Sequence, residues 1–136
     1  MNNYILGLSL NYPGVGVKFF IKRNLLELRY QIIGDEGQQS NLLGLRYYRQ
    51  FYNKNLYYYI GLETSFFDTM IKPESLRSSG YIVGSFLGIE KFLYKNFSFN
   101  LDFGPYIAQA TIYDTIATEF DFVVNMSINL YFLRKK

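Results

Sequence analysis

Phe122-Val123-Val124-Asn125-Met126-Ser127-Ile128-Asn129-Leu130-Tyr131-Phe132 is the stretch that decides the fold. Phe122, Val124, Met126, Ile128, Leu130 and Phe132 are apolar at every second position. The residues between them, Val123, Asn125, Ser127, Asn129 and Tyr131, are mostly small or polar. Successive side chains on a strand point to opposite faces, so the stretch has one apolar and one wet face. Its length matches a tilted strand crossing a bilayer, about 9–11 residues.

Seven more segments follow the same logic. The expected strands are about 3–11, 15–22, 25–33, 41–52, 56–66, 80–93, 97–111 and 121–132, forming a single domain over 1–136. Alternation is clear in Leu26, Leu28, Tyr30 and Ile32 against Glu27, Arg29 and Gln31, and in Phe97, Phe99, Leu101 and Phe103 against Ser98, Asn100 and Asp102. The sixth is irregular: Leu87 and Ile89 oppose Glu90, but Ile82 and Phe86 fall on the wrong side. Gly104-Pro105 is expected to kink the seventh, because Pro removes a ladder hydrogen bond.

Between strands lie two kinds of connection. Lys22–Asn24, Asn53–Asn55 and Tyr94–Asn96 are short turns carrying Lys or Arg with Asn. They alternate with Gly34–Ser40, Phe67–Ser79 (which holds Pro73) and Tyr113–Phe120, expected to be loops. The exception is a tight turn at Tyr12-Pro13-Gly14. No helical period is sustained, and no run of 18 apolar residues forms a transmembrane helix.

Composition agrees. The chain is 49% apolar with a mean hydropathy of -0.03, so polar residues dilute the apolar ones. Aromatics reach 20%, as membrane barrels need for interfacial girdles. Trp is absent, leaving that part to Tyr and Phe. Absence of Cys and His excludes disulfides and thiolate or imidazole metal sites, and leaves no thiol nucleophile or imidazole base. The net charge of +3 is scattered apart from Arg134-Lys135-Lys136, which reads as a solvated tail and not a nucleic-acid site.

These features predict an all-β, eight-stranded, antiparallel, up-and-down transmembrane β-barrel with apolar faces outward. The lipid-facing set is Leu28, Leu45, Ile60, Phe99, Leu101, Val124, Met126, Ile128 and Leu130. The inward set holds Lys18, Glu27, Arg29, Arg46, Glu63, Glu90 and Asp102. Eight strands leave an interior that side chains just fill, and unpaired buried charges are costly. Three cations against four anions are therefore expected to form one ladder. Lys18, Arg46 and Asp102 lie at similar depth, with Glu27 and Glu90 nearer the short turns and in reach of Arg29. Gly7, Gly16, Gly44, Gly61, Gly84, Gly88 and Gly104 mostly fall on the inner face and leave room for large neighbours. Arg49 and Lys91 fall outside, close to short turns where they can reach the interface. The alternative is a soluble, lipocalin-like barrel with apolar faces inward, binding a small apolar ligand.

The chain resembles the OmpA/OmpX-like superfamily of small outer-membrane β-barrels. The resemblance rests on Tyr58-Tyr59-Ile60-Gly61-Leu62-Glu63, on Gly88-Ile89-Glu90-Lys91-Phe92 through Tyr94-Lys95-Asn96-Phe97-Ser98 to Leu101, and on the last strand. These look like the family's glycine-centred strand, its hairpin around a periplasmic turn, and its C-terminal insertion signal at Phe132, which here is followed by Leu133-Arg134-Lys135-Lys136. The resemblance implies a non-enzymatic protein of the bacterial outer membrane, with a membrane-structural or surface-contact role and its signal peptide removed. It implies a monomer among outer-membrane lipids, assembled by the outer-membrane barrel assembly machinery, with no metal, no cofactor and no nucleic-acid partner.

Overall fold

The computed structural model describes residues 4–11, 14–34, 36–71, 76–112 and 114–134. The expected Tyr12–Gly14 turn falls largely outside them, as do Pro73 and the basic end at Lys135 and Lys136. The elements are β1 (Tyr4–Asn11), β2 (Gly14–Ile21), β3 (Asn24–Gly34), β4 (Gln38–Asn53), β5 (Leu56–Ile71), β6 (Leu76–Tyr94), β7 (Phe97–Ile112) and β8 (Thr115–Arg134). No helix occurs among the described residues. Each strand pairs antiparallel with the next, and β8 pairs back onto β1 from Leu10↔Ile128 to Tyr4↔Arg134. The ring closes in the order β1-β2-β3-β4-β5-β6-β7-β8.

The tight turns after β2, β4 and β6 share one end with the start of β1 and the end of β8. At Lys54 and Asn55, φ is 45° and 74°. Two consecutive positive φ values match the right-handed twist of a two-residue hairpin, and Asn tolerates them better than most residues.

The opposite end departs from expectation. Gly34–Ser40, Phe67–Ser79 and Tyr113–Phe120 are largely strand, not loop. Ile33 pairs with Ser40, Phe67 with Gly80, Ile71 with Leu76, and Ile112 with Thr115. In the β5–β6 hairpin the sequence hides this because the buried inward residues, Thr69 and Ser78, are polar, and in the β7–β8 hairpin because it rises above the interior. Every residue from Thr115 to Phe122 is exposed, so neither face is buried and no period of two is imposed. Strand lengths are accordingly unequal. β1 and β2 have 8 residues each, β6 has 19 and β8 has 20. One side of the ring is a low wall and the other a tall one.

The irregular sixth strand also resolves. Phe86 is buried and Ile82 half-buried on the same face as Glu90. They are interior apolar residues, so no shift of face is needed. Beside them the β6–β7 ladder has no recorded pair between Gly84↔Tyr106 and Leu87↔Phe103. Gly104 and Pro105 sit in that gap. Pro105 has no N–H to donate, and a Cβ on Gly104 would lie 1.8 Å from the Ser85 carbonyl oxygen. The two strands press together there, which only glycine permits. A register shift between Phe92 and Tyr94 adds a second irregularity to β6.

Candidate functional site: the charged interior

The burial pattern is the reverse of a water-soluble domain. Lys18, Glu27, Arg29, Arg46, Glu90 and Asp102 are each no more than 2% exposed. Glu63 faces the same interior but keeps 19% of its side chain accessible. Outside, Leu28, Leu45, Ile60, Val124, Met126, Ile128 and Leu130 are exposed, and Phe132 is 38% exposed. Phe99 and Leu101 point the same way and are half-covered by neighbours. Arg49 and Lys91 are exposed. The Arg49 guanidinium lies 5.8 Å from the Phe51 ring.

The interior charges form several clusters, where the sequence led to the expectation of one ladder. The central one is built on Arg46 of β4. Its two terminal nitrogens donate to both oxygens of Asp102 on β7, at 3.0 and 2.8 Å. This bidentate geometry is the strong form of a charge-assisted pair. Its Nε lies 3.3 Å from Glu63 Oε2. Its plane stacks 3.6 Å from the Phe86 ring centroid. Phe86 therefore belongs inside, as the aromatic platform of a buried guanidinium. Asp102 also accepts from Tyr59 Oη at 2.9 Å and from Asn125 Nδ2 at 3.0 Å.

A second cluster joins β1, β3 and β8. Arg29 Nε donates to Glu27 Oε1 at 3.0 Å, and its Nη2 to Asn11 Oδ1 at 3.1 Å. Asn11 Oδ1 also accepts from Ser127 Oγ. A third surrounds Glu90. Here the expectation that Glu90 would reach Arg29 is incorrect. Glu90 accepts from Ser98, Gln50 and Tyr131, and more distantly from Asn129 at 3.4 Å. The carboxylate is satisfied by neutral donors because the stagger of a closed sheet brings β7 and β8, not β3, over β6 at that depth. Lys18 sits opposite Glu27 in the β2–β3 register, with Nζ 5.6 Å from the Tyr48 ring and 5.9 Å from the Tyr131 ring. Its expected level beside Arg46 and Asp102 produces no direct contact with either.

The glycines complete the packing. A Cβ on Gly61 would meet Phe86 Cζ at 2.4 Å and Tyr48 Cβ at 2.5 Å, and one on Gly88 would meet Tyr59 Cζ at 2.3 Å. These glycines make room for the rings that, with Leu25, form the apolar part of the interior. Towards the tight-turn end Tyr131 packs on Tyr4, Phe20 and Phe92 at centroid distances of 5.1–5.4 Å. Above the Arg46 level the interior opens instead into a cavity of about 230 Å³.

Sequence reasoning missed the neutral members, Tyr48, Tyr59, Asn100, Tyr131, Asn129 and Ser98. Their signal was present: each occupies the inward phase of its strand. A search of protein-family models and a search of curated proteins find no match to this chain.

Proposed function

We propose that this chain is a small outer-membrane β-barrel, non-enzymatic and with a lumen filled by its own side chains, serving membrane structure or contact at the cell surface. One observation carries the reading. Large apolar and aromatic residues stand exposed on all eight strands, while the ion pairs are buried. Soluble monomers rarely expose contiguous apolar patches beyond a few hundred Å². A bilayer turns that liability into the stabilised face. The closed ring supports it further, since no sheet edge is tolerated in hydrocarbon. A water-soluble carrier would need the apolar faces inside, and they lie outside.

The sealed interior argues against a pore. At the level of Arg46, Asp102, Tyr59 and Phe86 each side chain is at most 3% exposed. The likeness to OmpA/OmpX-like barrels belongs to the same proposal. So do the outer-membrane location, the monomeric state and delivery by the barrel assembly machinery.

The test is refolding into detergent or liposomes, followed by electrophoresis with and without boiling. A folded barrel migrates differently from its boiled form. Ile128→Arg and Leu101→Arg place a charge on the outward face, at a cost of about 2–4 kcal/mol if these positions are near the midplane. Both variants should lose the shifted species in liposomes. Variants that stay folded and become soluble without detergent would refute the membrane reading.

A further inference from the structure

Above the Arg46 layer the interior changes character, and the change has a chemical direction. The cavity there is walled on the β6–β8 side by Ile82, Phe86, Pro105 and Val123, facing Leu42 of β4. Apart from Pro105, which reaches the cavity from the outward phase of β7 at the break in the β6–β7 ladder, these are apolar side chains in the inward phase of a barrel whose deeper interior is polar. At its floor Glu63 is the one buried-cluster carboxylate with substantial access, 19% of its side chain. Ser65 donates to its Oε1 at 3.4 Å. Arg29 also lines the cavity, but its guanidinium is committed to Glu27 and Asn11.

Charge sets the preference. The interior holds Lys18, Arg29 and Arg46 against Glu27, Glu63, Glu90 and Asp102, one anion in excess. Arg46 donates both terminal nitrogens to Asp102, while its Nε lies 3.3 Å from Glu63 without making a hydrogen bond. Asp121 then stands across the β7–β8 ladder from Tyr106, which lines the cavity. At roughly 30 Å³ per water the space equals seven or eight waters, enough for one ring-sized molecule.

We propose that this cup binds a small organic cation: an apolar body against Ile82, Val123 and Leu42, with its ammonium group on Glu63. The inference rests on the membrane-barrel reading and goes beyond it, since it gives the outer mouth of the lumen a ligand class. Recognition is by one ion pair in a half-dry site and by apolar contact. Neutral and anionic molecules of the same shape are discriminated against, because they bring no charge to the accessible side of the Glu63 carboxylate, whose ionic partner Arg46 is shared with Asp102.

The experiment uses the full chain refolded in lipid nanodiscs and three probes of similar size: 2-phenylethylamine, 2-phenylethanol and phenylacetate. Binding is read from the methyl NMR shifts of Ile82, Val123 and Leu42. The amine should bind at least tenfold more tightly than the alcohol, with the carboxylate weakest. Glu63→Gln should bring the amine to the level of the alcohol. Leu42→Trp should fill the cup and abolish both. Equal binding of the three probes, or an amine affinity unmoved by Glu63→Gln, overturns the inference. The heat-dependent gel shift of each preparation separates the two ideas. An intact shift with unselective binding refutes the cup alone, and a missing shift for the unsubstituted chain refutes the barrel reading and the cup with it.

Discussion

Replacing Arg46 with Met asks whether the central ion pair holds the barrel in one arrangement. The substitution removes two hydrogen bonds to Asp102, at 3.0 and 2.8 Å, and the ion pair to Glu63 at 3.3 Å. Hydrogen bonds to charged groups contribute about 1.5–3 kcal/mol each, so the two to Asp102 sum to roughly 3–6 kcal/mol. Removing one partner of a buried pair costs about 3–5 kcal/mol on independent grounds, and the two figures agree. Glu63 adds less, because its side chain opens into the cavity and water can take over part of the interaction. With a urea slope of about 2 kcal/mol per molar, a loss of about 4 kcal/mol lowers the midpoint by about 2 M. The chain has no Trp, so unfolding in detergent is followed by far-ultraviolet circular dichroism and by the gel shift. Arg46→Met/Asp102→Asn supplies the control. It removes the orphaned carboxylate together with its partner, and should recover at least half of the lost midpoint, because the penalty lies in the unpaired charge. An Arg46→Met midpoint within about 0.3 M of the unsubstituted chain would refute the reasoning. So would a double variant whose loss equals the sum of the two single losses.

Tyr131→Phe removes one donor from the buried Glu90 and should cost about 1–3 kcal/mol, whereas Tyr58→Phe on the outer face should stay within about 0.5 kcal/mol; equal midpoints for the two would sink the Glu90 cluster. Gly61→Ala places a methyl within 2.6 Å of the Tyr47 carbonyl oxygen as well as against Phe86 and Tyr48. Overpacking of that kind costs about 1–3 kcal/mol, readable as a lower urea midpoint, and an unchanged midpoint would mean that the rings have room to move. Asn55→Ile puts a β-branched residue at a φ of 74° and should destabilise by about 1–2 kcal/mol, measured as a lower fraction of shifted species after refolding; an unaltered yield and midpoint would contradict the type of turn assigned there.

Much of this architecture was legible because the two faces of most strands meet different surroundings. In β3, Glu27 and Arg29 alternate with Leu26 and Leu28, and the structure buries the charged pair and exposes Leu28. Where the surroundings stop differing, legibility stops too. The Thr115–Phe120 segment is exposed on both faces and reads as a loop although it is paired throughout. Ile82 and Phe86 broke the pattern for the opposite reason. They are interior residues with apolar partners, one the guanidinium platform and the other a cavity wall. The ion pairs were harder still. Arg46 and Asp102 are 56 positions apart and touch only because the ring closes with a particular stagger, which strand periodicity does not encode. Glu90 shows the limit clearly, for its charge invited a cationic partner and it found hydroxyls and amides.

The interior also bears on the proposed membrane setting. Among the described residues, the fully buried apolar side chains are Leu25, Tyr48, Tyr59, Phe86 and Tyr131, outnumbered by buried polar and charged ones such as Lys18, Glu27, Arg29, Arg46, Glu90, Asn100, Asp102 and Asn129. A polar interior gains little net free energy on assembly, since each hydrogen bond replaces one made to water. Leu8, Ile60, Val124, Met126 and Ile128 would remain wetted in both the folded and the unfolded chain and contribute almost nothing to folding in water. In the proposed membrane setting, transfer of that outer face to hydrocarbon would supply the missing term, at about 25 cal/mol per Å² of apolar surface covered. The interior clusters then have a narrower task. They satisfy the polar atoms that closure buries, and by their bidentate and charge-assisted geometry they select one stagger of the ring over its neighbours, because a slip of one residue would turn Arg46 and Asp102 onto the apolar outer face.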